Sequence, residues 1–133
     1  MKLIQKVRAC RALAEMMKSD WEFSFIYPLI HLMEEMKTDY EFFCREEMKL
    51  VAQYGKKEED GTVSIDEKGC FRFDDEENRL NYQQRHRVLE ETEVPEKPRI
   101  PVPRPSNVRG EWLEALIPFC DFRQEEKDHE SLA

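Results

Sequence analysis

One stretch constrains the fold more than any other, the apolar stripe between residues 28 and 54. Large side chains recur there at alternating intervals of four and three residues, at Leu29, Met33, Met36, Tyr40, Phe43, Glu47, Leu50 and Tyr54. All but one of these are apolar or aromatic, and a spacing near 3.5 residues is typical of one face of a helix. A helix over residues 28–54 is about 40 Å long at about 1.5 Å per residue. It therefore needs a partner along its length.

The residues before this stretch predict that partner. An apolar stripe with the same spacing runs through Leu3, Val7, Cys10, Ala14 and Met17 and predicts a helix over residues 2–18. Because the connection to the long helix is short, we expect the two helices to form an N-terminal antiparallel helical hairpin.

Aromatic residues occupy alternate positions in this connection, at Trp21, Phe23, Phe25 and Tyr27. Alternation fits a short strand. The same residues also fit the start of the long helix, with Ser24 as its cap and Pro28 in its first turn. We favour the helix.

Glu47 interrupts the long stripe at a point that the shorter first helix does not reach. We therefore expect Glu47 to be solvated. The same difference in length leaves the distal part of the long helix uncovered, which favours association of copies of the chain.

Residues 55–75 have the pattern of a small β-hairpin. Turns are predicted at Asp60-Gly61 and Lys68-Gly69, and side chains alternate over 62–65 and 70–73. A polar helix over residues 76–90 follows. Its weak stripe, which is predicted to cover the hairpin, consists of Leu80, Gln84, Arg87 and Val88.

The C-terminal part begins with a proline-rich segment, residues 95–105, which fits neither a helix nor a central strand. We expect an extended, polyproline-like arm or an edge strand. A short helix within GEWLEALIPFCDF is expected to pack on the β-hairpin. Residues 123–133 form an acidic tail. The sequence thus predicts one α+β, predominantly helical domain over residues 1–122, with two shorter C-terminal helices.

Composition narrows the classes of function. A net charge of −8 disfavours nucleic-acid binding, because phosphate contacts need Lys and Arg. The four cysteines stand singly, which favours reduced thiols in a cytosolic protein over a disulfide framework or a zinc site. Neither a signal peptide nor a membrane-spanning run is evident, and we expect no cofactor.

Motifs that carry chemistry are scarce. No phosphate-binding glycine loop or nucleophile elbow occurs, so nothing indicates an enzyme. His31, Glu34 and Glu35 share a helical turn, but no second pair completes a metal site. The basic residues cluster around Tyr82, Arg85 and Arg87, with Arg99 and Arg104 beyond them. This cluster fits an anion, an acidic partner or internal pairing with the acidic hairpin.

The order of the segments resembles a known family. An amphipathic hairpin leads to YGKKEEDGTVSIDEKGCFRF, then a polar helix, EVPEKPRIPV and a closing LEALIPFCDF. Over residues 1–122 this resembles the bacteriophage family catalogued as domain of unknown function 1617, whose members share a Tyr-Gly-like helix end, a D-x-G hairpin and a Leu-rich C-terminal helix. The PRIPVPRP run is longer than that family leads us to expect. The resemblance implies a phage origin and a small non-enzymatic protein, and it transfers no catalytic residue.

We therefore expect a protein that binds another macromolecule, either as a virion-assembly or accessory factor or as an inhibitor of a host defence protein. It would act in the host cytoplasm or in the virion. The predicted contact residues are Trp21, Phe23, Arg99 and Arg104. Two alternatives stay open: capture of an anionic nucleotide by Tyr82, Arg85 and Arg87, and acidic mimicry of DNA.

Overall fold

The computed structural model describes residues 1–103 and 107–123. Within these ranges the chain is α+β and mostly helical, as predicted. Its elements in chain order are α1 (Leu3–Met16), α2 (Phe23–Tyr54), α3 (Glu76–Glu90), β1 (Ile100–Pro103), α4 (Gly110–Leu116) and β2 (Cys120–Arg123). Arg104 and the tail beyond Arg123 lie outside the described residues.

Helix α2 spans 32 residues and begins earlier than its apolar stripe. Its N-cap is Glu22, so the predicted cap Ser24 lies inside the first turn and Pro28 inside the helix. The alternating aromatic residues belong to the start of the helix and do not form a strand. The helical spacing places Phe25 among the buried residues and leaves Phe23 exposed.

Helix α1 packs along α2, and their contact contains an ion pair. Lys6 Nζ lies 2.7 Å from Asp39 Oδ2, and the Lys6 side chain is almost fully buried. The main core gathers residues of α1, the first half of α2, β1 and the chain around α4. Its fully buried members include Leu13, Met16, Leu29, Val102, Leu116 and Cys120. A second, smaller cluster consists of Leu3, Val7, Phe43 and Leu89.

The second cluster shows where α3 lies. Leu89 of α3 contacts α1 and α2 there, so the part of α2 beyond α1 is covered by α3. The premise of the expected self-association, an uncovered distal α2, is therefore wrong. The predicted α3 bounds are confirmed, but its predicted apolar stripe is wrong, because Leu80 and Val88 are 52% and 67% exposed.

The sheet is not the one predicted from sequence. Strands β1 and β2 pair in parallel, with Val102 opposite Phe122. Pro101 and Pro103 have no backbone N–H, so the donors of β1 alternate with prolines. The remaining donor of Ile100 bonds to the Phe119 carbonyl at 2.9 Å. Part of the proline-rich segment is thus a strand of the core.

The predicted β-hairpin is a turn-rich segment with isolated antiparallel bridges at Lys57–Val63 and Ile65–Phe71. The two predicted turns are present, and Gly61 and Gly69 adopt φ values of +88° and +84°, which favour glycine. The Asp66 carboxylate closes the second turn by accepting from two backbone N–H groups. No regular β-strand forms in this segment, because its backbone hydrogen bonds are too few for a continuous ladder.

The sequence predicts that the C-terminal helix packs on the β-hairpin. This prediction is wrong, because α4 does not pack on the turn-rich segment. It contacts α1, and Leu116 is fully buried in the main core. The chain after it turns at Phe119 and continues as β2. Among the helices described, none has an apolar run of the length that crossing a bilayer requires.

Candidate functional site

A row of large side chains lies exposed along the first turns of α2. Phe23 is 74% exposed, Tyr27 is 50% exposed and Ile30 is 40% exposed, with the exposed His31 beside them. The spacings of four, seven and eight residues place them on one helical face. We call these four residues the aromatic ridge.

The rings of the ridge contact one another. Phe23 and Tyr27 stack with centroids 5.3 Å apart, and Tyr27 meets His31 edge-on at 4.6 Å. Both arrangements are favourable for aromatic pairs. The contacts restrict the rotamers of each ring, so the ridge presents an ordered apolar surface rather than independent side chains.

The ridge is not part of the core that α2 forms with its neighbours. Phe25, Leu29 and Leu32 occupy the opposite face and are at most 7% exposed. The start of α2 is therefore apolar on two faces, of which only one is used for folding. Adjacent exposed apolar side chains on such a face are typical of interaction sites.

Within residues 19–36, which include the ridge, the formal charges are all negative. Residues 19–36 contain no Lys or Arg but include Asp20, Glu22, Glu34 and Glu35. Only Glu35 has a cationic neighbour among the described residues, with Lys97 Nζ at 3.6 Å. We call Asp20, Glu22 and Glu34 the acidic rim; all three are exposed.

The structure separates the two predicted contact residues Trp21 and Phe23. The Trp21 indole N–H donates to the Met16 carbonyl at 2.6 Å. Its ring also packs against Phe25 and Trp112, with centroids 5.3 and 5.9 Å away. Trp21 thus contacts residues of α1, α2 and α4, whereas most of the Phe23 side chain is exposed to solvent.

The predicted contact residue Arg99 lies beside the parallel sheet. Its guanidinium donates to the Cys120 carbonyl, at 2.8 Å from Nη2 and 3.3 Å from Nε. These bonds hold the beginning of β2 against the chain that leads into β1. The other predicted arginine, Arg104, lies outside the described residues.

The residues of the predicted anion site are not gathered in one cleft. Tyr82 stacks on His86, and burial together with the charges of Glu47 and Glu90 raises the pKa of its phenol to about 12. Arg85 lines a separate shallow groove with Tyr54 and Val88, and Arg87 is exposed. Tyr82 is thus close to the carboxylates of Glu47 and Glu90, and not to a cluster of arginines.

A cluster around His86 was missed by the sequence reasoning. His86 Nε2 lies 2.7 Å from Glu47 Oε2, and Nδ1 lies 3.5 Å from Glu90 Oε1. The expectation that Glu47 is solvated is therefore corrected: its side chain is 23% exposed. The interruption of the α2 stripe by one acid was the available signal, since a buried carboxylate needs a partner.

A cavity of about 610 Å³ lies between α1 and α4. Its walls carry charges of both signs, with Arg8 and Arg11 on α1 and Glu111 and Glu114 on α4. In the described part of the chain, no group of three His, Cys, Asp or Glu side chains could hold a metal ion.

Comparisons with known proteins add no further guidance. No family model matches the chain. Searches of curated proteins and of solved structures also find no match. The resemblance to the phage family therefore stays a prediction, and the candidate site rests on geometry alone.

Proposed function

We propose that this protein acts by binding another protein through the aromatic ridge of α2. The observation that carries the proposal is the 74% exposure of Phe23, a large apolar side chain stacked on a second exposed ring. Burial of such rings is favourable, at roughly 25 cal/mol per Å² of apolar surface removed from water. Aromatic side chains also dominate the energetics of many protein interfaces.

The packing beneath the ridge supports this function. We propose that α1 and α2 form an antiparallel helical hairpin, in which the buried face of α2 fixes the helix that carries the ridge. Phe25 and Leu29 anchor that segment in the main core. A ridge on a rigid helix loses little conformational entropy on binding, which favours affinity.

The wider role that we propose follows the resemblance. The protein would be of phage type and non-enzymatic, acting in the host cytoplasm or in the virion. Its partner would be a virion component, as for an assembly or accessory factor, or a host defence protein that it inhibits. Oligomerisation through another surface remains part of this proposal.

Protein binding is better supported than nucleotide capture. A bound anion at Tyr82 would approach the carboxylates of Glu47 and Glu90, which repel it. Acidic mimicry of DNA would require a continuous acidic surface. The exposed surface at the start of α2 is apolar, because it contains Phe23, the most exposed apolar ring of the described chain.

The test is affinity capture from infected bacterial lysate with three immobilised proteins. The wild type should retain a partner that the double variant Phe23→Ser/Tyr27→Ser loses. Met48→Ser is the matched control, because Met48 is 58% exposed on the same helix but distant from the ridge along the chain. Equal recovery of every partner by the wild type and the double variant would contradict the proposal.

A further inference from the structure

The acidic rim gives the ridge a chemical preference that exposure alone does not. Glu22 precedes Phe23, and Glu34 lies one helical turn beyond Ile30. The acids thus stand at both ends of the apolar surface. Together with Asp20 they take part in none of the ion pairs formed by the described residues.

We infer that the partner presents a basic amphipathic helix, with aliphatic side chains facing the ridge and Lys or Arg facing the acidic rim. This inference rests on the proposed function and specifies the partner of the same site. Opposite charges around an apolar centre increase the association rate and select the partner.

The shape of the ridge favours a helix as the occupant. Phe23, Tyr27 and His31 follow one row of residues four apart, which forms a convex ridge along α2. Such a row packs into the groove between rows of side chains on a second helix. From Phe23 to His31 the row covers about 12 Å at about 1.5 Å per residue, so two to three turns of a partner helix suffice.

Basic side chains on that helix have two kinds of acceptor. The rim carboxylates bind ammonium or guanidinium groups directly. The exposed ring of Phe23, which stacks on Tyr27 on one side only, attracts the same cations through its π electrons. Acidic side chains on the partner would find neither, and they would meet unpaired carboxylates at both ends of the ridge.

A second copy of this chain is a poor occupant of the ridge. A twofold contact of ridge on ridge would bring the acidic rim of one copy close to that of the other. Residues 19–36 supply no Lys or Arg to compensate. Like charges across an interface are unfavourable, so the chemistry favours a different, basic protein.

The experiment measures fluorescence anisotropy of three labelled synthetic helical peptides with the intact protein. The first carries leucines with helical spacing on one face and lysines beside them. The second replaces each lysine by glutamate, and the third replaces each leucine by serine. We expect the first peptide to bind, and the other two to bind roughly tenfold or more weakly, the loss that about 1.4 kcal/mol produces.

Protein variants then assign the binding to the two parts of the site. Phe23→Ser/Tyr27→Ser should weaken binding of the lysine–leucine peptide roughly tenfold or more. Glu22→Gln/Glu34→Gln should weaken it by a smaller factor, and only at low salt, because salt screens exposed charges. Met48→Ser should leave it unchanged, and circular dichroism should show the same helix content in all variants.

Two results would overturn the inference. One is tighter or equal binding of the glutamate peptide, and the other is binding of the lysine peptide that the ridge variant does not reduce. If either occurs while ridge-dependent capture from lysate persists, the basic partner is wrong and the proposed function stands. Sedimentation that shows a dimer abolished by Phe23→Ser/Tyr27→Ser would also overturn it, in favour of a second copy.

Discussion

The imidazole of His86 lies with its Nε2 atom 2.7 Å from Oε2 of Glu47, and this contact joins α3 to the second half of α2. On its other side, His86 Nδ1 lies 3.5 Å from Glu90 Oε1. The His86 ring also packs edge-on against the buried Phe43 at 5.7 Å. These contacts attach a polar helix with little apolar surface to the helical core.

We predict that His86→Ala lowers the free energy of unfolding by about 1.5–3 kcal/mol, the range for a hydrogen bond to a charged group. The variant leaves the Glu47 carboxylate without its partner and removes a ring from Phe43. Urea denaturation followed by circular dichroism measures the change.

Arg87→Ala is the matched control, since Arg87 is the exposed neighbour on the same helix. It should change stability by no more than about 0.5 kcal/mol. The double variant Glu47→Ala/His86→Ala should cost less than the sum of the single changes, because each single change removes the same contact. Additive losses would mean that the two side chains do not interact.

Trp21 and Phe23 should respond in opposite ways to truncation. Trp21→Ala removes the indole contacts with Met16, Phe25 and Trp112 and should cost about 2 kcal/mol or more. Phe23→Ala should change stability by no more than about 0.5 kcal/mol, because the ring is largely in solvent. Thermal unfolding distinguishes the two, and a Phe23 variant as unstable as the Trp21 variant would refute an exposed ridge.

Alkaline pH should destabilise the fold, because two buried cysteine thiols resist losing their protons. Burial raises the pKa of the Cys10 thiol from 9.0 to about 11 and that of Cys120 to about 12. The unfolded chain loses these protons near its ordinary pKa, so stability is complete below about pH 9 and falls as the pH rises from there towards the folded pKa values. Melting temperatures measured across this range should decline.

Cys70→Ala is the control for the alkaline series, because Cys70 is exposed. Its melting temperatures should decline in parallel with the wild type. Cys120→Ala should start from a lower melting temperature and decline less steeply. A wild-type melting temperature that stays constant up to about pH 11 would contradict the burial of both thiols.

Gly55 should be needed for close packing rather than for its backbone angles. It ends α2 with φ −72°, which any residue can adopt. A Cβ atom there would lie 2.7 Å from the Val51 carbonyl oxygen and 3.1 Å from Val63 Cγ1. Gly55→Ala should therefore cost about 1–3 kcal/mol in chemical denaturation.

Gly110→Ala provides the comparison for Gly55, because the Cβ it would add meets no atom within 4 Å apart from its chain neighbours and the backbone of its own helix. We expect no loss of stability there, and a gain of up to about 1 kcal/mol is consistent with a less flexible unfolded chain. Equal effects at the two glycines would show that the end of α2 is not packed against the turn-rich segment.

The helices were largely predictable because each depends on local pattern. The acids before Asn78 and the bases after it marked the bounds of α3. Its packing face was not predictable, since that face uses Tyr82 and His86, polar residues whose burial depends on partners from α2. The apolar stripe at Leu80 and Val88 suggested the wrong face.

The parallel sheet was not predictable from local pattern. It pairs two four-residue segments about twenty positions apart, and one of them is half proline. Proline-rich sequence indicates an extended chain, but it does not indicate the neighbour that the remaining donors will find. Of the two contact residues predicted at the start of α2, Phe23 lies on the exposed ridge, while Trp21 packs against the core.

The most direct test of the ridge as the binding surface is site-specific photo-cross-linking with p-benzoylphenylalanine. The photoreactive residue is placed at position 23 in one protein and at position 48 in another, and each is irradiated in infected lysate. A partner cross-linked from position 23 and absent from position 48 is the result we predict. The same partner recovered only from position 48, or from neither, would contradict the assignment of the aromatic ridge.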